Sequence, residues 1–362
     1  MDNMSSTERV MKALNFQEPD HVPRYEGFWG EFIEAWRTEK KFTATADPWE
    51  YYNIDLLISA PDETAWPTKA RILEKTSDYQ TILTGWGSVH RWNTNANFFS
   101  EVKVALEDRV DIDKLSFDSP YLDSRYEHSQ QTVEKNRNRF AVFGKTGGPY
   151  MRASYMRGIT NFLMDIAEDP EWVKALVEKV TDHLLAIGVE QIQRMGLANT
   201  GIGIFDDIAN NQGPLMGLKT YEKLFYPSLR KMVKAYKQAG AAKVFHHCDG
   251  YIENVLDLWV DAGIDAVHPL EARLGMDPLE IRRRYEGKLA IIGGLDNSII
   301  LPSGNYEEIR KHVLRVLDAG RGGGLVLAAH SIGPDISVTT YDYITELWKK
   351  YGRYPLHFAK DD

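Results

Sequence analysis

After residue 139 the chain settles into a rhythm of short apolar runs separated by helical stretches. This rhythm limits the fold more than any other feature. The apolar runs begin at Phe140, Gly201, Lys243, Ile264, Leu289 and Leu325, and helical periodicity fills 159–195, 218–239, 250–262, 277–285 and 305–319. Runs that are apolar throughout, without polar alternation, belong to strands covered on both faces. Strands alternating with helices build a parallel sheet with the helices packed outside it. Two earlier runs, near Val22 and over Asp55–Ser59, bring the strand number to eight. The expectation is an α/β fold, a (β/α)8 TIM-type barrel. No Gly-x-Gly-x-x-Gly follows an early strand, so a dinucleotide-binding sheet lacks support.

Before the rhythm begins the pattern differs. Ser5 and Glu8 form a capping box ahead of Val10, Met11 and Leu14, which predicts a first helix. Residues 66–130 read as an insertion, with a hairpin closed near Ser77-Asp78 and a high density of aromatics: Trp66, Trp86, Trp92, Phe98 and Phe99. It is expected to cover one end of the main domain. There is no long linker and no repeat, so residues 1–362 are expected to form a single domain with the insertion at about 66–130.

The formal charge of −9 argues against a nucleic-acid or membrane-surface partner, since both favour a basic face. The single cysteine, Cys248, excludes a disulfide within the chain and suits a reducing compartment. No basic-then-apolar leader and no apolar run of about 20 residues is visible, so a cytoplasmic location is expected. Apolar helix stripes are compatible with a homodimer, although on barrel helices such stripes mostly face the core.

Barrel enzymes carry their chemistry at the carboxyl ends of the strands. Here those ends are polar: Asp206-Asp207, His246-His247-Cys248-Asp249, His268-Pro269-Leu270-Glu271, Asp296 and His330. His246-x-Cys248 and His247-x-Asp249 are both pairs with metal-ligand spacing, and His330 or Glu271 could supply a third ligand. A metal-free acid–base site would draw on the same residue types. His90, His128 and His183 fall in the insertion or on helices and read as structural or solvated.

Several of these stretches resemble the uroporphyrinogen decarboxylase superfamily: Val244–Gly250, Leu289–Asp296, Gly323–His330, Glu8–Leu14 with Pro19–Pro23, Phe205-Asp206-Asp207 and Gly147-Gly148-Pro149. The resemblance spans nearly the whole chain and implies one of two activities. In the decarboxylase branch no cofactor is needed, and Asp55, Tyr155 and His330 look like that branch's aspartate, tyrosine and late histidine. That branch also has an arginine-rich opening for substrate carboxylates, whereas this chain reads Arg24-Tyr25-Glu26-Gly27-Phe28-Trp29. In the other branch, a methyl group moves to or from a corrinoid on a partner protein at a zinc site of His-x-Cys and a later Cys. Aligned on the glycine, His247 and Asp249 stand at the first pair and His330 or Ser331 at the later cysteine.

A site of histidine and carboxylate is harder than a thiolate site and suits an oxygen-linked methyl donor. The resemblance therefore implies a methyltransferase component acting on a small donor such as an aryl methyl ether, with Zn(2+) at the site and a corrinoid protein as partner. His247, Cys248, Asp249, Glu271 and His330 are the ligand candidates, and Asp207 is expected to orient substrate. Trp29, Trp66, Trp86 and Trp92 are candidates for the walls of a pocket for an aromatic donor. The alternative implied activity is porphyrinogen decarboxylation in tetrapyrrole synthesis, with Asp55 and Tyr155 leading.

Overall fold

The computed structural model describes residues 4–93 and 99–358. Phe98 lies outside the described residues. Seven parallel strands form one curled sheet: β1 Leu56–Ser59, β2 Ala141–Gly147, β3 Gly201–Phe205, β4 Lys243–His247, β5 Ala266–His268, β6 Ala290–Leu295 and β7 Leu325–Ala329, in that spatial order. The extended segment around Arg24 and Tyr25 touches both edges of the sheet. Arg24 bridges Leu327 of β7 and Tyr25 bridges Leu56 of β1, both in the parallel sense. The expected early strand near Val22 is thus present as single bridges. Pro23, which has no amide hydrogen to give, helps keep it from forming a longer ladder.

Alternation along the strands sorts side chains into two layers. Leu56, Ala141, Phe143, Phe245, Ala266, Ala290, Ile292 and Val326 pack together inside the curl, with Val10 and Leu14 of the first helix against them. Val142, Ile202, Ile204, Val244, Val267, Ile291, Leu325 and Leu327 belong to the outer layer beneath the helices. Gly203 lies where an inward side chain would stand; a Cβ there would come within 2.3 Å of the Phe245 ring. The glycine makes room for the phenylalanine, whose full burial contributes roughly 2–3 kcal/mol.

The first helix, Ser6–Leu14, begins with the expected reciprocal cap between Ser5 and Glu8. The insertion holds an antiparallel four-stranded sheet, Arg71–Lys75, Tyr79–Leu83, Val89–Asn93 and Phe99–Lys103. It rests on the helix Pro149–Arg157: the Ser88 hydroxyl donates to the Tyr155 carbonyl at 2.8 Å, and Leu106 N donates to Met156 O at 2.8 Å. Among the described residues, no helix is long and apolar enough to cross a membrane.

Candidate active site

Continuing the alternation past the strand ends decides which polar residues meet. On β4, Val244 faces out and Phe245 faces in, so His246 turns outward and His247 inward. His246 is fully buried and stacks on Trp259 of the helix Leu256–Ala262, with centroids 4.0 Å apart. Cys248 returns to the outer layer, where it is buried in the apolar core and its thiol points to the Asp249 carbonyl at 3.1 Å. Burial pushes that thiol well above its ordinary range. By the same rule Lys145 on β2, Phe205 at the end of β3, Asp207, His268 on β5 and His330 after β7 face inward.

Lys145, Arg152, Tyr155, Phe205, Asp207, His247, His268 and His330, together with Tyr25 and Met151, line a cavity of about 370 Å3 at the carboxyl ends of the strands. Beside it, one atom each of His247, Asp249 and His330 lies within 4.8 Å of the others, and the two histidines line the cavity. His330 Nε2 is 3.5 Å from Asp249 Oδ1, and His247 Nε2 is 3.8 Å from that same oxygen and 3.6 Å from Asp207 Oδ1. His247 Nδ1 meets His268 Nδ1 at 2.6 Å, so one ring donates to the other. Burial, and then the neighbouring imidazoles of His268 and His330, hold His247 far below its usual pKa; burial takes His268 to about 3. Both rings are therefore neutral at physiological pH, the state in which a ring nitrogen can ligate a metal.

The three ligand atoms suit a zinc ion. Bonds of roughly 2.0–2.1 Å in tetrahedral directions put ligand atoms about 3.4 Å apart, close to two of the separations found. Asp249 Oδ1 is buried, yet accepts no hydrogen bond among the described residues, which is a costly state for a carboxylate oxygen. Burial, opposed by His330, pushes the Asp249 carboxyl up to about 6. A cation at this point would remove both penalties.

Asp207 and its neighbour divide the work. Asp206 is buried, and its carboxylate accepts from Met151 N at 2.7 Å and Tyr150 N at 3.2 Å, fixing the start of the helix Pro149–Arg157. Asp207 faces the cavity and accepts from Asp249 N at 3.1 Å, which ties the β3 loop to the β4 loop.

Four residues singled out from the sequence are placed elsewhere. Asp55 precedes β1, so it stands at the amino end of the sheet, where it binds Arg9 Nη1 at 2.7 Å and Arg24 N at 3.0 Å. Asp55 opens the apolar run and therefore lies at the end opposite the strand-end cluster. Cys248 turns outward, as the alternation requires, and is not among the clustered ligand atoms. Glu271 accepts from Gly250 N and from Arg273 Nε, both at 2.7 Å, and its oxygens are taken up in bracing the loop. Asp296 accepts from Ser298 N and Ile299 N and caps the turn after β6. A second cavity, about 620 Å3, includes Asp55 in its wall and lies at this amino end. Its buried cation Arg9 is saturated by Asp20, Asp55 and Met4 O, so it offers little chemistry.

The tryptophans do not line the site. Trp66 donates to Ser116 O and packs edge-on to Phe117, Trp92 packs against Phe99, and Trp86 is buried below Arg152. Tyr25, Tyr155 and Phe205 supply the aromatic wall instead. Arg24 is also withdrawn: it is buried, donating to Tyr52 O and the Tyr341 hydroxyl. Residues not singled out from the sequence are Lys145, Arg152 and Glu63. Glu63 follows β1 and accepts from Arg152 Nε at 2.6 Å, anchoring the guanidinium at the cavity edge.

Residues 77–351 match the family model described as Uroporphyrinogen decarboxylase (URO-D). The chain belongs to the uroporphyrinogen decarboxylase family. Two relatives of this family member point to different reactions. It is 27% identical over 226 residues to the methylcobamide:CoM methyltransferase MtbA of Methanosarcina mazei, covering 62% of this chain and 63% of that protein. It is 20% identical over 364 residues to a uroporphyrinogen decarboxylase of Oceanobacillus iheyensis, covering 96% and 98%. A solved methyltransferase from Methanosarcina mazei superposes with a TM-score of 0.70 over 96% of this chain and 99% of its own, at 14% identity. That likeness establishes a shared α/β fold with a curled parallel sheet.

Proposed function

We propose that this family member is a methyltransferase component that moves a methyl group from a small, oxygen-linked donor to a corrinoid carried by a partner protein. The likeness to a methylcobamide methyltransferase supports the corrinoid half of the reading. The observation that carries the rest is the His247–Asp249–His330 group, whose two histidines line the cavity. We read the seven strands and the Arg24–Tyr25 bridges as the eight positions of a (β/α)8 barrel, with residues 1–362 as one domain.

His247, Asp249 and His330 would hold zinc. When bound, zinc supplies Lewis acidity toward a donor oxygen. Two histidines and a carboxylate, with no thiolate, suit oxygen better than sulfur. With His247 Nδ1 donating to His268 Nδ1, the lone pair of His247 Nε2 would face the cavity. Asp207 holds the Asp249 backbone in place. Phe205, stacked on His247 with centroids 4.4 Å apart, joins Tyr25 and Tyr155 in an aromatic lining suited to an aryl methyl ether.

Decarboxylation of a porphyrinogen is the weaker reading. Its leading residues, Asp55 and Tyr155, belong to opposite ends of the sheet, and a cavity of about 370 Å3 is small for a tetrapyrrole. Arg24, the arginine of the opening stretch, is spent on Tyr52 and Tyr341.

The test is conversion of reduced cobalamin to its methylated form, followed by visible absorption, with zinc-loaded protein and a panel of aryl methyl ethers. Methylation that is lost in His247→Ala is expected. No methylation from any donor, with turnover of a porphyrinogen in its place, would overturn the proposal.

A further inference from the structure

Lys145 is a cavity residue that neither the metal group nor the scaffold accounts for. Its neighbour Thr146 turns outward and shares a hydrogen bond of 3.1 Å with the Tyr236 hydroxyl, so Lys145 projects inward from β2. The ammonium lies 4.1 Å from the Phe205 ring centroid, and the His247 ring stacks on that same phenyl group at 4.4 Å. Among the described residues it makes no hydrogen bond or ion pair; Glu63 and Asp207 act on it only at longer range. Arg152, the other cation of the wall, is already bound to Glu63.

A half-buried ammonium without a counter-ion loses part of its hydration, and a phenyl face offsets only some of that loss. Structural lysines avoid this by reaching solvent or a carboxylate. This one meets no carboxylate at ion-pair distance among the described residues, and its half-buried chain lines the cavity instead. Lys145 and the ligand candidate His247 therefore both contact one aromatic ring, a separation that a small molecule spans.

We propose that Lys145 recognises an anion: the molecule bound in this cavity carries a carboxylate or equivalent oxyanion at the end remote from His247, Asp249 and His330. This rests on the cavity being the substrate site, and it narrows the donor from aryl methyl ethers in general to anionic ones. An ammonium–carboxylate contact out of bulk water favours the anion over a neutral analogue by roughly tenfold or more.

Equilibrium binding of 4-methoxybenzoate and of methoxybenzene, measured by calorimetry on the zinc-loaded protein without corrinoid, tests this. Wild type should bind the benzoate at least about tenfold more tightly. Lys145→Met should erase the ratio, and Lys145→Arg should retain most of it. Circular dichroism of each variant checks the fold, and rising salt should weaken the benzoate alone if Lys145→Met does not fold. Equal affinities, binding of neither probe, or an unchanged ratio in Lys145→Met would overturn the assignment. Because no methyl transfer is read, loss of methylation in the cobalamin assay leaves this result standing, and the reverse holds as well.

Discussion

His247 and His268 meet through their Nδ1 atoms at 2.6 Å, at the ends of two adjacent parallel strands. The contact follows from register: His247 pairs with His268 across β4 and β5, and both side chains point inside the curl. A hydrogen bond at Nδ1 leaves Nε2 of His247 to face Asp249 and Asp207. Partners of this kind behind a ligating histidine typically change metal affinity by about 10–100-fold when removed.

His268→Ala should therefore weaken zinc binding by about 10–100-fold without removing a ligand. Competition against a chromophoric chelator measures it. Unchanged affinity would make His268 a packing residue only.

Cys248→Ala should leave zinc content unchanged, because the thiol lies in the outer apolar layer. A loss of about 1 kcal/mol in folding stability is expected from the small cavity created, read from the urea midpoint. Loss of metal in this variant would mean that the strand end rearranges to use sulfur.

Asp206 and Asp207 should separate cleanly. Asp207→Asn is expected to lower activity with little change in stability. The buried Asp206 carboxyl is pushed up to about 7 by desolvation, ahead of the opposing bonds from Met151 and Tyr150. A carboxyl with a raised folded pKa favours the folded state below its unfolded value of about 4, and that contribution fades as pH rises through about 7. The stability difference between wild type and Asp206→Asn should shrink over this window in urea titrations. A pH-independent difference would contradict it.

Gly203→Ala should destabilise the fold by roughly 1–3 kcal/mol, since its Cβ would meet the Phe245 ring at 2.3 Å. Denaturant unfolding measures this, and a neutral effect would show that the inner layer has slack.

Much of this arrangement is written in the chain. The alternation of apolar runs and helices sets the parallel order, and the polar strand ends mark the face where the site lies. The choice between His246 and His247 could have been made from Phe245 and Phe143, whose size marks the inward parity; the same parity points to Lys145. What stayed hidden is geometry that parity does not carry. Glu63 reaches Arg152 across a long sequence separation, with no local pattern to announce it. The tryptophans are prominent in composition, yet they are used to hold the insertion together.

The most direct test of the account is elemental mass spectrometry of the protein after zinc loading and desalting, for wild type and for His330→Ala. The account predicts close to one zinc per chain in wild type and a large loss in the variant. Wild type without zinc, or a variant that keeps its full complement, would contradict the His247–Asp249–His330 centre.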